Sequence, residues 1–166
     1  KIGRAVAQRA QGFGMRVVYT DPNRVGSNLG IHLSLSDLLH QSDFVSLHVP
    51  LIKETYHLMD SSKLALMKKS AYLINASRGS VIDTEALFLA LVKGTIAGAA
   101  LDVTDPEPLP QDHPLYKLPN CLILPHIGSA TQNTRRKMAE LACENLIAGL
   151  EGRRLPYCVN PEIYGI

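Results

Sequence analysis

The segment Ala97–Pro108 reads AGAALDVTDPEP, and the segment Leu124–Thr131 reads LPHIGSAT. The first segment contains a short apolar run typical of a buried strand, and a second such run ends at Leu124, the first residue of the other segment. Each run leads directly into a polar loop. The loops contain Glu107 and His126. Because the loops after parallel strands open at one edge of the sheet, we predict that these two side chains meet there. A carboxylate beside an imidazole is suited to acid–base chemistry.

A plainer interpretation exists for each of the two residues. Glu107 could be a helix cap and His126 a solvated histidine in an ordinary loop. A third predicted strand end, Asn75–Gly79, reads NASRG and brings Arg78 to the same edge. This third polar residue favours the functional interpretation of the edge.

Composition excludes several classes of protein. The 166 residues are 46% hydrophobic and 19% charged with a net charge of +2, which is typical of a globular domain and not of a disordered chain. The charges form no basic stripe, so we expect no nucleic-acid partner. Three cysteines without a CxxC pair predict neither disulfides nor a metal site, and favour a reducing, cytoplasmic location. The apolar runs are too short for a membrane helix, and we identify no signal peptide.

Strands and helices alternate along the predicted chain, which indicates a doubly wound parallel α/β sheet. The predicted strands are 15–20, 30–33, 44–49, 71–75, 97–101 and 121–124. The predicted helices are 1–10, a short helix with Leu35, Leu38 and Leu39, 60–67, 83–92 and an amphipathic helix over 130–150. The predicted N-caps are Ser34 or Ser36, Asp60 or Ser61, and Asp83, and Gly94 is the predicted C′ residue after the helix over 83–92. Lys68 and Lys69 are predicted to stabilise the last turn of the helix over 60–67, and His48 is expected to be structural. We expect a dinucleotide-binding domain over residues 1–154 and a connector over residues 155–166.

The first 22 residues predict a helix, a strand and an acidic turn at Asp21. That order is typical of the second half of a dinucleotide-binding βαβ unit, in which Gly3 is the third glycine of the G-x-G-x-x-G motif. Gly3 could equally be a small packing residue, and Asp21 could be an ordinary turn residue. The motif interpretation places the first strand upstream of Lys1. Without that first strand, the strands over residues 15–19 and 44–49 would face each other across a gap of about 9 to 10 Å, which is twice the interstrand spacing.

The three segments NASRG, LDV with the following Glu107-Pro108, and LPHIGSAT together resemble the signatures of the D-isomer-specific 2-hydroxyacid dehydrogenases. The resemblance extends over about residues 1–160. It implies a Rossmann-like NAD-binding domain without the family's substrate domain. It also implies reduction of a small 2-oxo acid, of the glyoxylate or hydroxypyruvate type, to the D-2-hydroxy acid.

The resemblance implies a role for each of the three catalytic candidates. Arg78 would bind the substrate carboxylate with its planar guanidinium. His126 would donate a proton to the carbonyl oxygen while a nicotinamide delivers hydride to the carbonyl carbon. Glu107 would bond to the other ring nitrogen of His126 and favour the protonated imidazole.

The resemblance also implies a set of cofactor-binding residues. Asp21 would accept hydrogen bonds from the adenosine ribose, which favours NAD over NADP, although Arg24 could pair with a 2′-phosphate. Thr55 is either a polar contact or merely a cap. The complete set is Lys1, Ile2, Gly3, Asp21, Val49, Pro50, Thr55, Ala76, Ser77, Arg78, Asp102, His126 and Gly128.

Two other functions remain open at this stage. Corepressors that resemble these dehydrogenases bind NAD and control protein assembly, but they tend to carry an aromatic residue shortly after the histidine, where this chain has Ile127, Gly128 and Ser129. The chain could also be an inactive fragment. We expect the full-length protein to be a homodimer formed through its nucleotide-binding domain.

Overall fold

Helices and strands alternate along the chain in the computed structural model, which describes residues 1–22 and 30–165. The strands are β1 Val18–Tyr19, β2 Ile31–His32, β3 Phe44–Leu47, β4 Tyr72–Asn75, β5 Gly98–Leu101 and β6 Cys121–Ile123. The helices are α1 Ile2–Gly12, α2 Leu35–Gln41, α3 Ser61–Leu64, α4 Thr84–Val92 and α5 Gln132–Leu150. The residues divide into two units, Lys1–His126 and Ile127–Ile166.

The unit Lys1–His126 contains two parallel sheets. β1 pairs with β2, and the larger sheet has the strand order β3-β4-β5-β6. Parallel strands joined by helical connections confirm the predicted doubly wound α/β fold. Within the described ranges, no ladder joins β1 to β3, so the predicted break in the sheet is also confirmed.

One face of the larger sheet carries the core. Val45, Leu47 and Leu73 alternate with more exposed residues and are buried. On the other face the rings of Phe44 and Tyr72 stack with centroids 5.9 Å apart, yet these residues are 56% and 46% exposed. Parallel sheets are usually buried on both faces. In the part of the chain that the structure describes, the face that carries Phe44 and Tyr72 is the more exposed of the two.

Several predicted elements are shorter than expected. The strand predicted over residues 15–20 pairs with β2 only at Val18–Tyr19. The helix predicted to reach Met67 ends at Leu64, and single turns follow it. Lys68 does not stabilise the end of that helix as predicted, because its Nζ donates to Asp43 Oδ1 at 2.8 Å, across to the start of β3.

Helix caps follow the predicted chemistry closely. Asp83 Oδ1 accepts from the Ala86 N–H at 3.0 Å and begins α4, and Gly94 follows that helix with a φ of +63°. Ser34 and Asp60 cap α2 and α3 in the same way. These caps fix where the three helices begin.

The unit Ile127–Ile166 consists of α5 and the segment after it. Thr131 caps α5, whose only buried residue is Ala148, so the predicted amphipathic helix buries very little within the described chain. The following segment folds back, since the Tyr157 N–H donates to Asn145 Oδ1 at 2.9 Å. It also contains a 3₁₀ turn, Pro161–Tyr164. The domain boundary after residue 154 stays a prediction.

The three cysteines lie in the described part of the chain, and none forms a disulfide. Cys121 lies in β6, where burial raises the pKa of its thiol to about 11. Cys143 is exposed on α5, and Cys158 is half-buried. None of the helices in residues 1–22 and 30–165 has both the length and the apolar composition that crossing a membrane requires.

Candidate functional site

The candidate site lies at the carboxyl end of the larger sheet. Asn75, Leu101 and Ile123 occupy one row across β4, β5 and β6. Arg78 follows the first of these strands by three residues, and His126 follows the last by three. The parallel register therefore brings the loops after these three strands to one edge, as the sequence predicts.

His126 and Glu107 link the loops after β5 and β6. His126 Nδ1 lies 2.6 Å from Glu107 Oε1, with the two side chains 54% and 40% exposed. Because a carboxylate only accepts, Nδ1 carries the hydrogen, and Nε2 is the nitrogen that can exchange a proton with a bound molecule. The predicted contact is confirmed, while the catalytic role of the pair stays a prediction.

The Arg78 loop is built around one buried amide that our sequence reasoning did not select. Asn75 is 1% exposed, and its Oδ1 accepts from the Ser77 N–H and hydroxyl at 3.0 and 2.8 Å. Its Nδ2 donates to the Arg78 carbonyl at 2.8 Å. Arg78 itself is exposed, and its Nη1 donates to the Ser77 carbonyl at 2.7 Å. Asn75 thus fixes the backbone from which the guanidinium extends.

The loops after β4 and β5 touch directly. A Cβ placed on Gly79 would lie 1.9 Å from the Thr104 carbonyl oxygen, so only glycine fits at that point. The Ser80 hydroxyl donates to Asp105 Oδ2 at 2.5 Å, and the Thr84 hydroxyl donates to the Asp105 carbonyl at 2.9 Å. Sequence reasoning missed this contact, although Ser80 and Asp105 each lie two residues from a catalytic candidate.

The start of α1 lies beside the end of β3. Lys1 is the N-cap of α1 and makes no side-chain capping bond, so the N–H groups of Ile2 and Gly3 can serve an anion. A Cβ on Gly3 would lie 3.4 Å from the His48 ring. That distance is an ordinary van der Waals contact, so a role of Gly3 in a pyrophosphate loop stays a prediction.

Burial lowers the pKa of His48 below its ordinary value, so this imidazole is neutral at neutral pH. Its Nε2 lies 2.9 Å from the Ser46 hydroxyl. A neutral ring bonded to its own strand fits the structural role that the sequence suggests for His48.

Asp21 and Thr55 have clear local partners. Asp21 lies two residues beyond β1, half-buried, and its carbonyl is 3.3 Å from His32 Nε2. The Thr55 hydroxyl donates to the Pro50 carbonyl at 2.6 Å and accepts from the Ile52 N–H at 2.9 Å, so Thr55 does cap a turn. A contact of either residue with a cofactor stays a prediction.

The other predicted cofactor residues lie near the same edge or outside this unit. Val49 packs against the core, Ala76 is exposed, and the Asp102 N–H donates to the Asn75 carbonyl at 2.8 Å. Gly128 is exposed in the unit Ile127–Ile166. Arg24 lies outside the described residues.

Comparison with known proteins identifies the family. Residues 1–128 match the sequence profile described as D-isomer specific 2-hydroxyacid dehydrogenase, NAD binding domain. A glyoxylate reductase of Korarchaeum cryptofilum is 51% identical over 167 residues, which cover 98% of this chain and 50% of that protein. A glyoxylate/hydroxypyruvate reductase B of Pectobacterium carotovorum is also 51% identical, over 98% of this chain and 52% of that protein.

Solved structures agree with this result. The TT0316 protein of Thermus thermophilus superposes with a TM-score of 0.90 at 55% identity, over 93% of this chain and 49% of that one. The NAD-complexed D-isomer specific 2-hydroxyacid dehydrogenase of Lactobacillus delbrueckii gives 0.85 at 34% identity, over 96% and 53%.

The chain spans about half the length of the curated relatives that it matches. The relatives named above are reductases, which agrees with the enzyme interpretation and not with the corepressor one. An NAD-binding profile also confirms the expected type of cofactor. The chain belongs to the family of D-isomer specific 2-hydroxyacid dehydrogenases, whose NAD-binding domain it matches.

Proposed function

We propose that the protein containing this chain reduces a small 2-oxo acid of the glyoxylate or hydroxypyruvate type to the D-2-hydroxy acid, with a nicotinamide cofactor as reductant. The observation that carries the proposal is the 2.6 Å contact between His126 and Glu107 at the carboxyl edge of the sheet. The names of the relatives support the same substrate class.

The chain's own residues account for two parts of the reaction. Arg78 binds the substrate carboxylate through a planar pair of N–H donors, which orients the neighbouring carbonyl group. His126 donates a proton from Nε2 to the carbonyl oxygen as negative charge develops there. Glu107 holds the imidazole through Nδ1 and so leaves Nε2 as the nitrogen that donates the proton.

The residues at the start of α1 fit a dinucleotide. The N–H groups of Ile2 and Gly3, at a helix start whose N-cap Lys1 makes no side-chain capping bond, would hold the pyrophosphate. A bound reduced nicotinamide supplies the hydride for the carbonyl carbon. Asp21 would accept hydrogen bonds from the ribose hydroxyls and would repel a 2′-phosphate, so we propose a preference for NADH over NADPH.

Steady-state assays of the full-length gene product test the proposal. We expect oxidation of NADH with glyoxylate and with hydroxypyruvate, and tighter binding of NADH than of NADPH in a fluorescence titration. Arg78→Lys should raise KM and lower kcat, because an ammonium cannot form the paired hydrogen bonds. A wild-type protein that oxidises neither cofactor with either acid would refute the proposal, whereas tighter NADPH binding would refute only the assigned preference.

The proposal includes a cytoplasmic homodimer without nucleic-acid or membrane partners. Three cysteines without a disulfide support a reducing compartment. Exposed apolar side chains such as Leu51 and Tyr56 support association of the nucleotide-binding domains. Light scattering on the full-length protein measures the oligomeric state directly.

A further inference from the structure

We propose that Asp105 is a positioning residue that fixes Glu107 relative to Arg78, and that Ser80 is its partner in this role. The inference rests on the proposed function, because it assigns Asp105 an effect on the same reaction. It goes further in naming a residue outside the three catalytic candidates and the predicted cofactor set.

The contacts of Asp105 join two functional loops. Its Oδ2 accepts from the hydroxyl of Ser80 at 2.5 Å, and Ser80 lies two residues after Arg78. Hydroxyl–carboxylate hydrogen bonds of this length belong to the stronger, charge-assisted class. Asp105 lies two residues before Glu107. A single side-chain contact therefore ties the Arg78 loop to the Glu107 loop.

The backbone around Asp105 is held as well. The Thr84 hydroxyl, in the first turn of α4, donates to the Asp105 carbonyl at 2.9 Å. The Thr104 hydroxyl donates to the Pro106 carbonyl at 2.9 Å. With three hydrogen bonds on consecutive residues, the segment that leads to Glu107 has a defined position on the Arg78 loop and α4.

The interface between the loops leaves little space for rearrangement. Gly79 packs against the Thr104 carbonyl without room for a Cβ. The cavity lined by Asn75, Gly79, Thr104 and Asp105 measures about 10 Å³, no more than about one water molecule requires. The cavity is too small for more solvent to take the place of the Ser80–Asp105 hydrogen bond. We therefore expect the two loops to move when that bond is removed.

Proton transfer explains why such a movement affects the reaction. Glu107 acts on His126 across 2.6 Å, and a displacement of about 1 Å at a catalytic group can lower a rate by about 100-fold. Asp105 is half-buried, and we assign it no contact with the substrate. Its effect is therefore transmitted through Glu107.

A double-mutant cycle in the full-length protein tests this assignment. We expect Asp105→Ala and Ser80→Ala each to lower kcat by about 10-fold or more, and the pair together to lower it no further. Asp105→Asn keeps an acceptor oxygen and should retain most of kcat. In the Glu107→Gln background, Asp105→Ala should have no further effect, because the residue through which it acts is already inactive.

Ser62→Ala is the matched control. It removes another serine–aspartate hydrogen bond, 2.6 Å from Ser62 to Asp60 Oδ1, at α3. That variant should keep kcat.

An equal loss of kcat from Asp105→Ala in the wild-type and Glu107→Gln backgrounds would overturn the inference and assign Asp105 a general structural role. If Asp105→Ala does not fold, Ser80→Ala in both backgrounds gives the same decision. An inactive wild type would refute the proposed function itself, and this inference with it.

Discussion

His126 adopts a backbone φ of +53°, a left-handed conformation that is uncommon for residues other than glycine, although asparagine, aspartate and histidine adopt it more often than most. Side chains held in such a conformation are concentrated at functional sites, where the surrounding structure maintains them. The hydrogen bond to Glu107 holds the ring of His126 while its backbone keeps this uncommon conformation. The choice of a replacement for His126 must therefore respect the backbone as well as the chemistry.

His126→Asn is the substitution that separates these two effects. Asparagine tolerates a positive φ but cannot donate a proton as an acid, so the protein should fold normally and lose about 10² to 10⁴ in kcat. Steady-state kinetics and thermal unfolding of the full-length protein measure both quantities. Retention of most of kcat in a folded variant would show that another group donates the proton.

Glu107→Gln should lower kcat of the full-length protein. A glutamine side chain can present either its oxygen or its NH₂ group to Nδ1, so the hydrogen on Nδ1 and the role of Nε2 as proton donor are no longer fixed. The measurement is kcat for wild type and variant. Glu140→Gln, on the exposed surface of α5, is the charge-matched control and should keep kcat. An unaltered kcat in Glu107→Gln would separate Glu107 from the proton donor.

At the scale of elements, the contact between the loops after β4 and β5 makes Gly79 hard to replace. Gly79→Ala places a Cβ 1.9 Å from the Thr104 carbonyl oxygen, which should separate the loops and destabilise the full-length protein by about 1 to 3 kcal/mol. Activity should fall as well, because Arg78 and Glu107 lie on these two loops. Denaturant unfolding and kcat are the two measurements.

Gly12→Ala is the control for Gly79→Ala. Nothing lies within 4 Å of a Cβ at Gly12, which is the last residue of α1, so this variant should be neutral or slightly stabilising. Equal effects of the two alanines would refute the steric argument for Gly79.

Local chemistry predicted the elements well where one residue type decides the outcome. Asp83 and Gly94 mark the two ends of α4 because a capping carboxylate and a left-handed glycine are local requirements. The meeting of Glu107 and His126 was predictable because parallel strands place their exit loops at one edge.

Properties that depend on distant partners were not predictable in the same way. Asn75 reads as an ordinary strand end, and only the folded loop shows that its amide binds Ser77 and the Arg78 carbonyl. The Ser80–Asp105 bond joins residues 25 positions apart and leaves no periodic signal. Lys68 is predicted to stabilise a helix end because that interaction is local in sequence. Its actual partner, Asp43, lies 25 positions away.

At the scale of the whole molecule, the described chain exposes much apolar surface. In the unit Lys1–His126, Phe13, Ile2 and Phe44 are 85%, 65% and 56% exposed, and no ladder in the described ranges joins β1 to β3. Exposed strand edges and apolar patches promote association. The two sheets of the unit Lys1–His126 should therefore depend on surfaces outside residues 1–166 for their stability.

Residues 1–166 expressed alone should therefore aggregate or unfold without a sharp transition, and should bind NADH weakly. Thermal unfolding by circular dichroism, with and without NADH, measures this, and light scattering detects aggregates. The full-length product is the control and should unfold cooperatively at a temperature that NADH raises. A sharp transition of the isolated residues that NADH raises would show that these residues suffice for a stable sheet.

The elevated pKa of Cys121 gives the molecule a chemical reporter of its own unfolding. Thiol reagents attack the thiolate, and a pKa of about 11 leaves only about one Cys121 thiol in a thousand ionised at pH 8. Cys143 and Cys158, in the other unit, should be labelled first, and Cys121 only when β6 separates from β5. A two-step labelling time course, read by mass spectrometry, would therefore time the opening of the sheet edge next to the His126 loop with the chain's own cysteines as the labelled sites. If Cys121 were labelled as fast as Cys143, the sheet edge would be opening on the timescale of the labelling itself.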